Sequence, residues 1–126
     1  MTKEASMENV LGIGGVFFKA RGPQALAAWY REHLGVRVEA GQTYAAFTAA
    51  LGDQTVWSTF PADTKYFGSG PAPFMINYRV RNLDNMLAQL RAAGAQVEDR
   101  VEEHDYGRFG WAIDPEGNRF ELWEPR

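Results

Sequence analysis

Apolar positions along this chain switch from a period of two to a helical period and back, and they do so twice. Ile13 to Ala20 is rich in β-branched and aromatic residues and predicts a strand. Gly22-Pro23 then offers a helix start, because proline at the first helical position loses no hydrogen bond and has its φ preset. Leu26, Trp29, Tyr30 and Leu34 follow helical spacing, and Gly35 stands where a left-handed cap ends a helix. Val36–Glu39, Thr43–Thr48 and Thr55–Phe60 predict short strands, separated by Gly41 and by Gly52-Asp53. The second round opens with a strand at Phe74–Val80. A helix follows, capped by Asn82, with Asp84 at the positive end of its dipole and Leu83, Met86, Leu87 and Leu90 as its stripe. Gly94 ends that helix. Val97–Glu102, Arg108–Ile113 and Arg119–Trp123 predict the closing strands, the last two joined by the turn Asp114-Pro115-Glu116-Gly117-Asn118.

A shift of about sixty residues lays one round on the other. Leu26 falls on Met86, Ala27 on Leu87 and Tyr30 on Leu90. The pattern is therefore read as a duplication, giving an α+β fold of two βαβββ modules. They are expected to form a curved sheet or half-barrel with the helices on its outer face. The expected organisation is a flexible N-terminus over residues 1–9 and a single domain over 10–126. Within it, module one spans about 10–60, a connector 61–73, and module two about 74–125. The connector holds Tyr66 and Phe67, which a bare linker does not need, and is expected to fold over something.

Composition narrows the functional classes. With 126 residues the chain suits one domain, and 45 % hydrophobic content argues against extended disorder. The absence of cysteine removes disulfides, thiolate metal sites and a cysteine nucleophile. A net charge of -3 without a Lys/Arg cluster argues against a nucleic-acid partner. No apolar run reaches membrane-spanning length and no secretory signal is legible, so a cytoplasmic protein without a membrane partner is expected. Gly12-Ile13-Gly14-Gly15 precedes a strand, not a helix, and so is no dinucleotide loop.

Three segments carry a resemblance to a known family: Gly12 to Phe18, Trp29-Tyr30-Arg31-Glu32-His33-Leu34-Gly35, and Asp114-Pro115-Glu116-Gly117-Asn118-Arg119-Phe120-Glu121-Leu122-Trp123-Glu124-Pro125. Together they resemble the glyoxalase/bleomycin-resistance/dioxygenase (vicinal oxygen chelate) superfamily, over about Val10 to Pro125. The resemblance implies paired βαβββ modules closing around a cavity, and a homodimer. It also implies a divalent ion held by four His, Glu or Gln side chains. Those positions fall on Gly15, near Trp57, near Met75 and on Glu121. Three of the four offer no ligand atom for a hard cation, and among one-residue neighbours only the Ser58 hydroxyl is even a weak donor. No metal and no cofactor are expected.

Glu121 is the sharpest candidate. Facing inward it would serve as general base or as recognition group for a polar ligand; equally, it would hydrogen-bond Asn77 or Arg79 across the sheet. Strand alternation then gathers Phe17, Trp57, Met75, Asn77, Trp111, Glu121 and Trp123 on one face, with Tyr66 or Phe67 from the connector. Such a face suits a small aromatic or amphipathic ligand, or else its rings merely fill the core. Arg108 would attract an anionic ligand, or is a surface charge. His33 is read as packing beside Tyr30 and Leu34, and His104, within Glu102-Glu103-His104-Asp105, as part of a solvated loop. Three functional readings stand: a metal-free small-molecule-binding protein of this type; a lyase, isomerase or dioxygenase with a non-standard metal site or Glu121 as base; and an interaction domain with a filled barrel.

Overall fold

The computed structural model describes residues 7–126; the sequence expectation for residues 1–9 lies mostly outside them. Two helices and eight strands follow one another as β1 (Val10–Ala20), α1 (Pro23–Leu34), β2 (Tyr44–Thr48), β3 (Gln54–Pro61), β4 (Phe74–Val80), α2 (Leu83–Ala92), β5 (Gln96–Val97), β6 (Glu102–His104), β7 (Gly107–Ile113) and β8 (Arg119–Pro125). The strands hydrogen-bond in two groups, β2-β3-β1 and β4-β8-β7-β5 with β6 on β7, each of mixed direction, in an α+β fold. Two compact units are distinguished: Gly14–Ile76, and the residues up to Ile13 together with Asn77–Arg126.

The duplication survives in the pairing. In the first unit β1 runs parallel to β3, which is antiparallel to β2. In the second, β4 runs parallel to β8, which is antiparallel to β7. Each unit thus repeats one rule: the strand before the helix pairs with the last strand of its own module.

The helix ends follow their local chemistry. Pro23 opens α1, and Gly35 closes it in the left-handed region at φ 70°, its N–H bonding the Tyr30 carbonyl. Asn82 caps α2, its side chain accepting from the Asn85 N–H at 2.9 Å. In the second unit Leu83, Met86 and Leu87 bury themselves against Val80 and Leu122, as the stripe predicts. Gly110 lets α2 sit close to β7, since a Cβ there would press on both Leu87 methyls.

Four local expectations are corrected. Val36–Glu39 forms no strand: the Val38 N–H bonds the Val36 carbonyl, and the Val38 side chain packs with Ala27 and Ala45, so tertiary burial overrides β propensity. The stripe of α1 is narrower than its spacing implies, because Ala27 is the fully buried residue while Trp29 and Leu34 are exposed. His33 is likewise exposed, its ring 4.9 Å from that of Trp29. Glu102–His104 is a short strand on β7, not a loop, although His104 does face solvent.

Candidate functional site

In the second unit, parallel and antiparallel ladders bring three buried side chains into one row. Asn77 stands opposite Glu121 across β4 and β8, and Trp111 stands opposite Glu121 across β7 and β8. Side chains opposite one another on neighbouring strands share a face, so this row needs only the backbone register. The Asn77 Nδ2 donates to Glu121 Oε1 at 2.6 Å, and the Trp111 Nε1 donates to Oε2 at 2.9 Å. Both carboxylate oxygens are therefore engaged, and Glu121 is only 2 % exposed. Asn77 presents its amide nitrogen to the carboxyl group. Its own oxygen, Oδ1, is consequently turned away and is buried without a hydrogen-bond partner.

A second row lies beside the first. Arg79 is opposite Trp123, and Phe109 is opposite Trp123 on the other side. The Phe109 and Trp123 rings stack, 4° apart in plane, with centroids 6.0 Å apart. The Trp123 indole donates to the Tyr106 carbonyl at 3.0 Å, and an Arg79 guanidinium nitrogen donates to the Ile13 carbonyl at 2.6 Å. Trp111 is flanked by the guanidinium groups of Arg100 and Arg119, 4.6 and 5.2 Å from its ring. Arg119 is fixed in turn by a two-pronged pair with Glu98 at 2.6 and 2.8 Å. That guanidinium holds the Glu98 carboxyl below the ordinary glutamate value.

A carboxyl depressed in the folded state binds its proton more readily once unfolded. Its stabilising contribution is thus complete above the ordinary value of 4.5 and fades as the pH falls through the lower folded value. Denaturation midpoints measured from pH 6 down to about pH 3 are expected to fall less steeply for Glu98→Gln than for the parent chain. Parallel curves would remove Glu98 from the acid response.

The first unit gathers the other expected rings. Phe17, Phe67 and Met75 are buried together, with Val56, Phe60 and Tyr66 packed against them. The connector does fold over this cluster: Tyr66 stacks on Phe60 at 5.5 Å, and the Phe67 ring is 5.2 Å from it. Lys19 lies over the Phe67 ring.

Two expected members lie elsewhere. Trp57 faces α1, edge-on to Phe18 and Tyr30, because its β1 neighbour is Val16. Ser58, opposite Phe17 in register, takes the place expected for Trp57. Arg108 pairs with Asp84 in the first turn of α2 at 3.0 and 3.1 Å, on the side of the sheet away from Phe109 and Trp111. The pair holds the Asp84 carboxyl below its usual range. Phe109, Arg119 and Phe60 were not anticipated as neighbours of the candidates. Phe109 and Arg119 each stand two residues from one (Trp111 and Glu121), so alternation alone would have found them, whereas Phe60 is three residues from Trp57 and alternation from that position puts it on the opposite face.

A divalent ion of the family type does not fit these residues. Gly15, Met75 and Trp57 or Ser58 offer no carboxylate or imidazole, and both Glu121 oxygens already accept hydrogen bonds. Among the described residues no three His, Asp or Glu side chains cluster as a metal site. No helix among them is long and apolar enough to cross a membrane.

The strand pairing and the two helices define a chain of the paired-module α+β class. A family model described as a glyoxalase-like domain matches residues 15–123. The chain belongs to that family, and so to the glyoxalase/bleomycin-resistance/dioxygenase superfamily. Among solved structures it is similar to methylmalonyl-CoA epimerase from Mycobacterium tuberculosis, with 21 % identity and TM-score 0.65 over 93 % of this chain and 89 % of that one. It is similar to a Streptomyces coelicolor methylmalonyl-CoA epimerase variant in complex with 2-nitronate-propionyl-CoA, with 16 % identity and TM-score 0.71 over 93 % and 99 %. A superfamily member from Vibrio splendidus 12B01 matches with 13 % identity and TM-score 0.57 over 94 % and 99 %. At these identities the likeness is one of fold. No curated protein matches the sequence.

Proposed function

We propose that this protein binds a small aromatic or amphipathic molecule, without a metal ion, against the face of β4, β8 and β7 that carries Asn77, Glu121, Trp111 and Trp123. The observation behind this reading is the unpartnered Asn77 Oδ1, buried beside a carboxylate. A buried acceptor left unpaired costs about 1–3 kcal/mol, and a ligand donor is one means of recovering it. The rings of Trp123 and Phe109 supply flat apolar area next to that acceptor, the pairing of features small-molecule sites use. The preferred ligand carries a ring or acyl chain and an N–H or O–H donor.

The test is a thermal-shift and calorimetric screen of aromatic amines, amides, phenols and acyl thioesters, the last because structural neighbours were solved with CoA esters. A true ligand at a hundred times its Kd adds about 2.7 kcal/mol of stability, a shift of several degrees. Asn77→Ala is expected to abolish the shift while keeping the circular-dichroism spectrum. A shift from Ni²⁺, Mn²⁺, Zn²⁺ or Fe²⁺ that disappears in Glu121→Gln would overturn the metal-free reading. No shift from any organic compound would leave the chain an interaction domain with its interior filled. Proton exchange into an acyl thioester in D₂O, lost in Glu121→Gln, would replace binding with acid–base catalysis.

A further inference from the structure

Positive charge lies directly over the buried row of Asn77, Glu121 and Trp111. Trp111 is 1 % exposed, and two cations cover it, the Arg100 and Arg119 guanidinium groups 4.6 and 5.2 Å from its ring. They are held differently. The Arg119 side chain is 10 % exposed and is committed to its two-pronged pair with Glu98. The Arg100 side chain is 56 % exposed and meets one carboxylate, Glu102, through Nε at 3.3 Å. That carboxylate is shared with the His104 ring, 3.1 Å away, and all three side chains are open to solvent. An exposed pair of this kind contributes little, so exchanging Glu102 for another acid costs little. Among the described residues the two terminal nitrogens of Arg100 donate no hydrogen bond, although the planar fork suits a carboxylate.

The backbone register places this fork relative to the other open group of the row. Asn77 and Trp111 stand opposite Glu121 on the two strands flanking β8. They are thus two interstrand steps apart, about 10 Å. The unpartnered Asn77 Oδ1 marks one end, and the Arg100 guanidinium covers the ring at the other. A group that accepts and a group that donates two parallel bonds therefore bracket the same stretch of the face.

We propose that Arg100 is a specificity residue that selects anionic ligands, its terminal nitrogens holding a carboxylate at the end of the row opposite Asn77. The inference rests on the binding reading above and narrows it to aromatic or acyl acids with an N–H or O–H donor at the end remote from the acid. The anion-attracting role expected for Arg108 passes to Arg100, because Arg108 is paired with Asp84 on the other side of the sheet.

The test is isothermal titration calorimetry of the full chain with 4-aminobenzoate, 4-aminobenzamide and benzoate. The first offers both the donor and the acid, the second lacks the acid, and the third lacks the amine donor. At low salt 4-aminobenzoate is expected to bind about tenfold more tightly than 4-aminobenzamide, equivalent to about 1.4 kcal/mol. The advantage is expected to shrink as salt is raised, because the fork is exposed. Arg100→Gln is expected to erase it. Arg100→Lys keeps the charge without the fork, so it is expected to retain only part of the advantage and answers for the glutamine variant should that misfold. Equal affinity for acid and amide, or an advantage that survives Arg100→Gln, overturns the inference and leaves the binding reading standing. Benzoate binding that needs Arg100, with the aminated probes indifferent to Asn77→Ala, supports selection by Arg100 and removes Asn77 from the binding reading. No heat from any probe at millimolar concentration overturns both.

Discussion

Glu121→Ala is expected to destabilise the protein by about 3 kcal/mol, read as a fall in the urea midpoint at unchanged slope. The loss has two sources. The Asn77 amide and the Trp111 indole are left as buried donors with nothing to accept from them, each costing about 1–3 kcal/mol. Removing the side chain also leaves space in a closely packed face. Glu121→Gln separates the charge from the shape. The new amide presents one oxygen and one nitrogen, and the nitrogen would confront a donor on one side. The Asn77 side chain resolves the conflict by rotating its unpartnered Oδ1 toward that nitrogen. The glutamine variant is therefore expected to lose only about 1 kcal/mol. Equal losses in both variants would mean that the carboxylate's charge, not its hydrogen-bond pairing, holds this row together.

Gly107→Ala carries the second large effect, about 2–4 kcal/mol. Gly107 opens β7 at φ 143°, a conformation L side chains rarely adopt. A Cβ there would collide with the Glu124 carbonyl oxygen and the Trp123 indole. The carbonyl belongs to the backbone of the paired strand and cannot step aside. The indole would have to leave its hydrogen bond to the Tyr106 carbonyl, disturbing its stack with Phe109. The variant should therefore show an altered tryptophan emission spectrum as well as a lower melting temperature. Gly117→Ala is the control: its φ is 87°, but a Cβ there meets nothing within 4 Å, so only the backbone cost of about 1 kcal/mol applies. Similar losses at Gly107 and Gly117 would show that the close approach to Trp123 matters little.

The placing of side chains on faces shows how far strand alternation carries. It correctly put Glu121 and Trp123 on one face, because those positions share one uninterrupted strand. Applied with the right parity it also separates Arg108 from Trp111, three residues apart, and sends Arg108 to the α2 side. It misplaced Trp57 because the family position was transferred to β3 with an error of one residue, and a one-residue slip exchanges the faces of a strand. The missing strand at Val36–Glu39 has another origin. Valine content raised the strand expectation, but the small residues Ala27 and Ala45 open a slot that Val38 fills from an irregular segment.

The amino-acid sequence alone determined the strand–helix–strand order at the start of each round, the duplication, the helix caps at Pro23, Gly35 and Asn82, and the family, because each depends on residues close together in the chain. Only the tertiary structure decided that Asn77 and Trp111 grip opposite oxygens of Glu121, and that one Asn77 oxygen is left over. Those contacts span 44 and 10 residues and depend on the relative register of β4, β8 and β7. A single strand's pattern contains its faces but not its neighbour's offset, and at this site the offset decides which groups find partners.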